Sequence, residues 1–124
     1  MKKIFLVDDM NLCNFILKKT ISNIAPEHEV FPFTDPAKAL LLLNEIKPDI
    51  IFLDLNMPEI SGWQFLNDMQ KQNNYTDVFI LTSSCNEEDK QRSLQYANVI
   101  DFFSKPMKNT QVKAIFNSLE NGSS

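Results

Sequence analysis

Glycine is nearly absent: the 124 residues contain two, Gly62 and Gly122. Gly-rich phosphate loops and the dinucleotide-binding fingerprint need glycines at fixed spacing, so both are excluded. Cysteine is equally scarce. Cys13 and Cys85 stand in unrelated segments without CxxC spacing, which reads as two buried free thiols in a reducing cytoplasm. There is no basic excess either. Twelve Lys and Arg against sixteen Asp and Glu give a net charge of -4, without the basic stripe of a general nucleic-acid binder. No apolar run approaches the roughly 20 residues that span a bilayer, so no membrane association is expected. Met1-Lys2-Lys3 opens like a secretory signal, but Asp8-Asp9 cuts the apolar run after four residues and rules it out.

What is present is a set of short apolar runs that end in polar groups. Ile50-Ile51-Phe52-Leu53 runs into Asp54 and is bounded by Pro48-Asp49 and Met57-Pro58. Such a run reads as a strand buried on both faces, at home inside a parallel sheet with helices on either side. Ile4 to Val7 ends in Asp8-Asp9, Val78 to Leu81 in Thr82, and Val99 to Phe103 leads into Ser104-Lys105-Pro106. Glu29 to Phe33 is a further short strand, and its Pro32 argues for a sheet edge.

Helical patterns alternate with these strands. Leu12, Phe15, Ile16 and Ile24 mark the apolar face expected of the first helix, with Lys18 and Lys19 outward. Asp35-Pro36 is a helix start, an N-cap acid before proline at the first position. The helix runs through Leu40 to Leu43, four leucines that cannot all be buried, and Pro48 stops it. Ser61 caps a helix with Phe65, Leu66 and Met69 inward. Glu87 to Ala97 is helical but polar, anchored by Leu94 and Ala97 and ended by a left-handed Asn98. Val112, Ile115, Phe116 and Leu119 form a last helical stripe.

Five β-α units predict an α/β fold: a doubly wound, flavodoxin-like (βα)5 domain with a five-stranded parallel sheet in the order 2-1-3-4-5. Residues 1–120 form one domain and 121–124 a polar tail. The central strands then deliver Asp8, Asp9, Asp54, Thr82 and Lys105 to one rim. Singly, these residues have bland readings: a helix cap for Asp8 or Asp9, a turn hydroxyl for Thr82, a surface charge for Lys105. Together they place three mutually repelling carboxylates opposite an ammonium. Hard oxygen donors without His or Cys point to Mg²⁺. Such a site suits phosphoryl transfer to an aspartate. A flavodoxin-like electron carrier is discarded, because Asp8-Asp9 would repel the flavin phosphate.

Val7-Asp8-Asp9, Leu53-Asp54, Asn56-Met57-Pro58, Gly62, Leu81-Thr82-Ser83 and Lys105-Pro106, in this order, resemble the receiver domain of two-component response regulators, the CheY-like family. The resemblance covers essentially the whole chain. It implies Asp54 as phosphoacceptor, Asp9 as direct Mg²⁺ ligand, Asp8 acting through water, and Asn56 offering its backbone carbonyl. It implies Thr82 as the hydroxyl that turns to the phosphoryl group, Lys105 as its ammonium partner, and a cis Lys105-Pro106 bond. Asn56 and Ser84 fall where the family tunes loss of the phosphoryl group. Phe102 falls on the switch aromatic, where many members have Tyr. It lacks the hydroxyl, and plain core packing is the competing reading. Trp63 and Met107 read as packing residues and His28 as a solvated loop residue.

The function so implied is cytoplasmic signalling. A histidine kinase or histidine phosphotransfer protein would phosphorylate Asp54. The face formed by the fourth helix, fifth strand and fifth helix would then meet a downstream protein. Enzymatic activity is limited to self-phosphorylation and self-dephosphorylation. The alternative is a pseudo-receiver adaptor that works without phosphorylation. With no output domain after Leu119, the effect is expected to run through protein contacts.

Overall fold

The apolar runs become five parallel strands in a computed structural model that describes residues 2–83 and 86–120. In chain order the elements are β1 (Lys3–Val7), α1 (Asn11–Ile24), β2 (Glu29–Phe33), α2 (Pro36–Ile46), β3 (Ile50–Asp54), α3 (Gly62–Lys71), β4 (Asp77–Thr82), α4 (Glu87–Ser93), β5 (Val99–Ser104) and α5 (Asn109–Glu120). The sheet order is β2-β1-β3-β4-β5, with every neighbouring pair parallel, as expected.

Strand alternation sorts the core into two layers. Phe5, Val7, Ile51, Leu53, Val78 and Ile80 face one side, where α2 and α3 add Leu43, Phe65, Leu66 and Met69. Ile4, Leu6, Ile50, Phe52, Phe79 and Leu81 face the other, covered by Ile21 of α1 and Val112, Ile115 and Phe116 of α5. β3 is buried along its whole length. Pro32 lies on β2 at the sheet edge, as its missing N–H requires. Asp35 caps α2 by accepting from the Ala37 amide at 3.0 Å, and Ser61 caps α3 from the Gln64 amide at 3.2 Å. Leu41 is the leucine of its run left outside.

Two helices depart from their patterns. α1 exposes Leu12, Phe15 and Ile16; of the expected face Ile24 turns inward, joined there by Asn14, Leu17 and Ile21. The cause is Asn14. Its buried amide donates to the carbonyls of Asp8 and Phe33, both at 3.0 Å, and these two bonds set the helix rotation. α4 ends at Ser93, not Ala97, and leaves Leu94 75% exposed and Ala97 exposed. Beyond Ser93 the chain tightens: the amides of Gln95 and Tyr96 bond three residues back, to Arg92 and Ser93. With the helix already over, Asn98 caps nothing. It is buried, donates to the Thr76 carbonyl at 3.0 Å, and is not among the non-glycine residues of positive φ, Lys47 and Asn73. A register shift between β4 and β5 at Val78 and Phe79 skips Ile100, which is left outside.

His28 is also not the solvated residue expected. Its side chain is 5% exposed, its Nδ1 accepts from the Lys2 amide at 3.0 Å, and its ring stacks on Phe116 at 5.1 Å. The start of β2 beside β1 tucks it beneath α5. Cys13 is half-buried rather than buried, whereas Cys85, Ser84 and the 121–124 tail lie outside the described residues.

Gly62 is where α3 meets the chain leaving β3. Its amide donates to the Leu55 carbonyl at 3.0 Å. A Cβ here would lie 2.7 Å from both the Asp54 carbonyl oxygen and the Leu55 Cα, and backbone cannot yield as a side chain tip can. Gly62→Ala is therefore expected to lower folding stability by about 1–3 kcal/mol in urea denaturation. An unchanged midpoint would show that the β3–α3 turn adapts freely.

Candidate functional site

Parallel pairing brings the carboxyl ends of β1, β3, β4 and β5 to one rim, and the polar residues there meet. Oxygens of Asp8, Asp9 and Asp54 lie within 4.8 Å of one another. Asp8 and Asp54 are buried, and Asp9 is the more open. The Lys105 ammonium bonds Asp8 Oδ2 and stands 3.4 Å from Asp54 Oδ2. Its backbone amide donates to the Thr82 carbonyl at 2.9 Å, which fixes the lysine's root to the end of β4. The Lys105-Pro106 bond is cis, as the resemblance implied.

Asn56 joins the group twice. Its backbone amide donates to Asp54 Oδ1 at 3.2 Å, and its side-chain amide donates to the Thr82 hydroxyl at 3.2 Å. Asp8 is held from its other side by the Met10 amide at 2.9 Å. Six of the seven residues singled out from sequence, Asp8, Asp9, Asp54, Asn56, Thr82 and Lys105, thus form one connected polar cluster. The seventh, Phe102, lies on β5, half-buried at the margin of one core layer and lining a groove beside α4.

Sequence reasoning missed two neighbours. Cys13 Sγ is 3.9 Å from the Lys105 ammonium, and Asn14 holds the Asp8 carbonyl. Asn14 carried a signal, since it begins the 14-17-21-24 helical spacing, but its polarity hid it.

The charges do not cancel. Burial, then the Asp8 charge, pushes the Asp54 carboxyl above its ordinary range, against the opposing pull of Lys105 and the Asn56 amide. For Lys105, burial opposes the ammonium, but the Asp8 hydrogen bond and the Asp54 and Asp8 charges outweigh it and hold the proton more firmly. Burial first, then Asp8, raises the Cys13 thiol. Three carboxylates facing one ammonium leave unneutralised negative charge in an all-oxygen donor set. That fits a hard divalent cation such as Mg²⁺.

Because the Asp54 pKa is raised on folding, the native state binds this proton more tightly than the unfolded chain. The associated stability is fully present below the ordinary carboxyl pKa and is lost as pH rises through the native value. Asp54→Asn removes the charge but keeps the shape. In chelator at neutral pH it is expected to melt a few degrees above the unsubstituted protein, with the gap closing toward pH 4. Calorimetry across that range checks it, and a lower melting temperature at neutral pH would count against a strained carboxylate.

A family model for the response regulator receiver domain matches residues 4–117. The cyclic di-GMP phosphodiesterase response regulator RpfG of Xanthomonas campestris is 31% identical over 112 residues, 90% of this chain and 30% of that protein. A protein-glutamate methylesterase/protein-glutamine glutaminase of Vibrio vulnificus is 31% identical over 121 residues, 96% of this chain and 35% of that protein. The chain thus spans about a third of the length of these relatives. Among solved structures, a two-component response regulator from Cytophaga hutchinsonii matches with a TM-score of 0.84 at 27% identity, covering 96% of each chain. Chemotaxis protein CheY4 of Vibrio cholerae matches with a TM-score of 0.79 at 25% identity, covering 98% of each. With the family model spanning nearly all of the chain and the fold and rim in agreement, this chain belongs to the receiver domain family of two-component response regulators.

Proposed function

We propose that this domain, over residues 1–120, accepts a phosphoryl group on Asp54 from a histidine kinase or histidine phosphotransfer protein in the cytoplasm. The observation that carries the reading is the Lys105 ammonium bonded to Asp8 and 3.4 Å from Asp54, in a rim whose three carboxylates lie within 4.8 Å. An Asp54 carboxylate oxygen forms the new P–O bond as the donor's P–N bond breaks. The electron pair of the broken bond stays on the imidazole nitrogen. Lys105 meets the charge on the transferred oxygens, and Thr82 turns its hydroxyl from Asn56 toward them. Mg²⁺, held by Asp8, Asp9, Asp54 and the Asn56 carbonyl, supplies further charge compensation when bound. Attack of water on phosphorus later returns the free carboxylate.

The donor docks on α1. Met10, Leu12, Phe15 and Ile16 are exposed together at the end of α1 nearest the acidic rim, a grouping that monomer surfaces seldom leave uncovered. The phosphorylated state is read on the α4–β5–α5 face, where a groove between α4 and β5 is lined by Leu94, Ile100 and Phe102. Binding there is a population shift, biased by the new charge at Asp54. Phe102 moves with it as the aromatic of the switch.

Incubation with phosphoramidate and Mg²⁺ is expected to add the mass of one phosphoryl group to the intact protein, mapped to Asp54. Asp54→Asn, or chelation of the metal, removes the adduct. Failure of the unsubstituted protein to form it would favour a phosphorylation-independent adaptor. Phe15→Glu is expected to slow transfer from a phosphorylated donor protein by about tenfold or more, since interface anchors typically carry at least 1–2 kcal/mol. Labelling by phosphoramidate should be untouched, and equal slowing of both would place Phe15 in the fold rather than the interface.

A further inference from the structure

Besides its packing on β5, the α4 region meets α3 through an aromatic cluster. The buried residue of α4 is Ser93, whose hydroxyl bonds within the helix to the Lys90 carbonyl at 2.6 Å. The attachment comes from either side of it. The Arg92 guanidinium lies 4.5 Å above the Trp63 ring. The Tyr96 ring stacks on Trp63 at 5.9 Å and 24°, and its hydroxyl donates to the Asn67 side chain at 2.9 Å. Trp63 and Asn67 belong to α3, so the α4 region is clasped onto the first turns of α3.

The root of that clasp lies at the phosphorylation rim. Trp63 follows Gly62, which abuts the Asp54 carbonyl and bonds the Leu55 carbonyl at 3.0 Å. Through that hydrogen bond, a displacement of the backbone at Leu55 would be passed to Gly62 and to Trp63 beside it. A covalent route of one residue and a packed contact therefore join the acceptor to α4.

We propose that the Trp63–Arg92–Tyr96 clasp is a restraint that holds α4 in its unphosphorylated position and opens when Asp54 is phosphorylated. The clasp rests on the assignment of Asp54 as acceptor. It is distinct from the rearrangement of Thr82 and Phe102, because it reaches α4 from α3 rather than along β4 and β5. Its free energy is that of an exposed cation–π pair with an aromatic stack and one hydrogen bond, small enough to be overcome by a local charge. By linkage, whatever opens the clasp is favoured when the clasp is weakened.

Trp63 is the single tryptophan, so its fluorescence reports the clasp directly. Saturation with beryllofluoride and Mg²⁺, which mimics the phosphoryl group without a covalent bond, is expected to change Trp63 emission. Arg92→Ala, a change at an exposed position, should bind beryllofluoride about two- to fivefold more tightly, the factor expected for losing one exposed cation–π contact. Tyr96→Phe keeps the stack, loses the bond to Asn67, and should shift binding in the same direction by less. Phosphoramidate labelling of Asp54, read by mass, is measured alongside. A phosphoryl adduct with unchanged Trp63 emission, or variants that bind beryllofluoride no more tightly, would overturn the clasp and leave the acceptor standing. No adduct and no beryllofluoride binding would overturn both.

Discussion

Lys105 faces two buried carboxylates, and the arrangement of the rim follows from that meeting. Asp8 and Asp54 arrive on adjacent parallel strands, so their separation is set by strand spacing and cannot relax. Water is largely excluded, and only a cation can offset the repulsion. One ammonium is spread over two acids, and burial together with the Asp8 charge raises the Asp54 carboxyl against its pull. The shortfall is the useful part. Oxygen donors left short of positive charge can still take up a hard cation. The sheet thus holds a charge imbalance in place, and the two apolar layers above and below it bear the cost.

The strands were legible because burial on both faces leaves one reading for a short apolar run. β1, β3 and β4 are almost wholly enclosed, and their polar terminators marked the rim correctly. Five of the rim residues could be named because each stands where a strand ends, and Asn56 because it follows Asp54 in the Asn56-Met57-Pro58 turn. Amphipathic reasoning failed where one polar side chain outweighed several apolar ones. Asn14 turns α1 by satisfying two buried carbonyls, and Leu12, Phe15 and Ile16 are pushed outside as a result. Periodicity counts hydrophobic residues and cannot see a hydrogen bond between segments 19 residues apart.

α4 was misjudged for a related reason. Leu94 and Ala97 looked like anchors on a helical projection, but the helix ends before reaching them and Tyr96 takes over the contact. The stack on Trp63 joins elements about 30 residues apart in sequence, and neither partner sits in an apolar run. His28 was hidden in the same way: its burial depends on the distant ring of Phe116. Local patterns therefore specified the sheet and its rim, whereas long-range polar and aromatic contacts specified how the surrounding helices sit.

The two margins of the sheet carry a further implication. On β2 the ladder meets Pro32, which has no N–H to offer, and on β5 the pairing slips by one residue so that Ile100 is thrown outward. Neither margin presents the straight, regular hydrogen-bonding row that an incoming strand needs as a template. A chain this rich in enclosed Val, Ile and Phe would otherwise be prone to fibril growth by edge-to-edge recruitment. Blunted on both flanks, the sheet gives an incoming strand no register to extend.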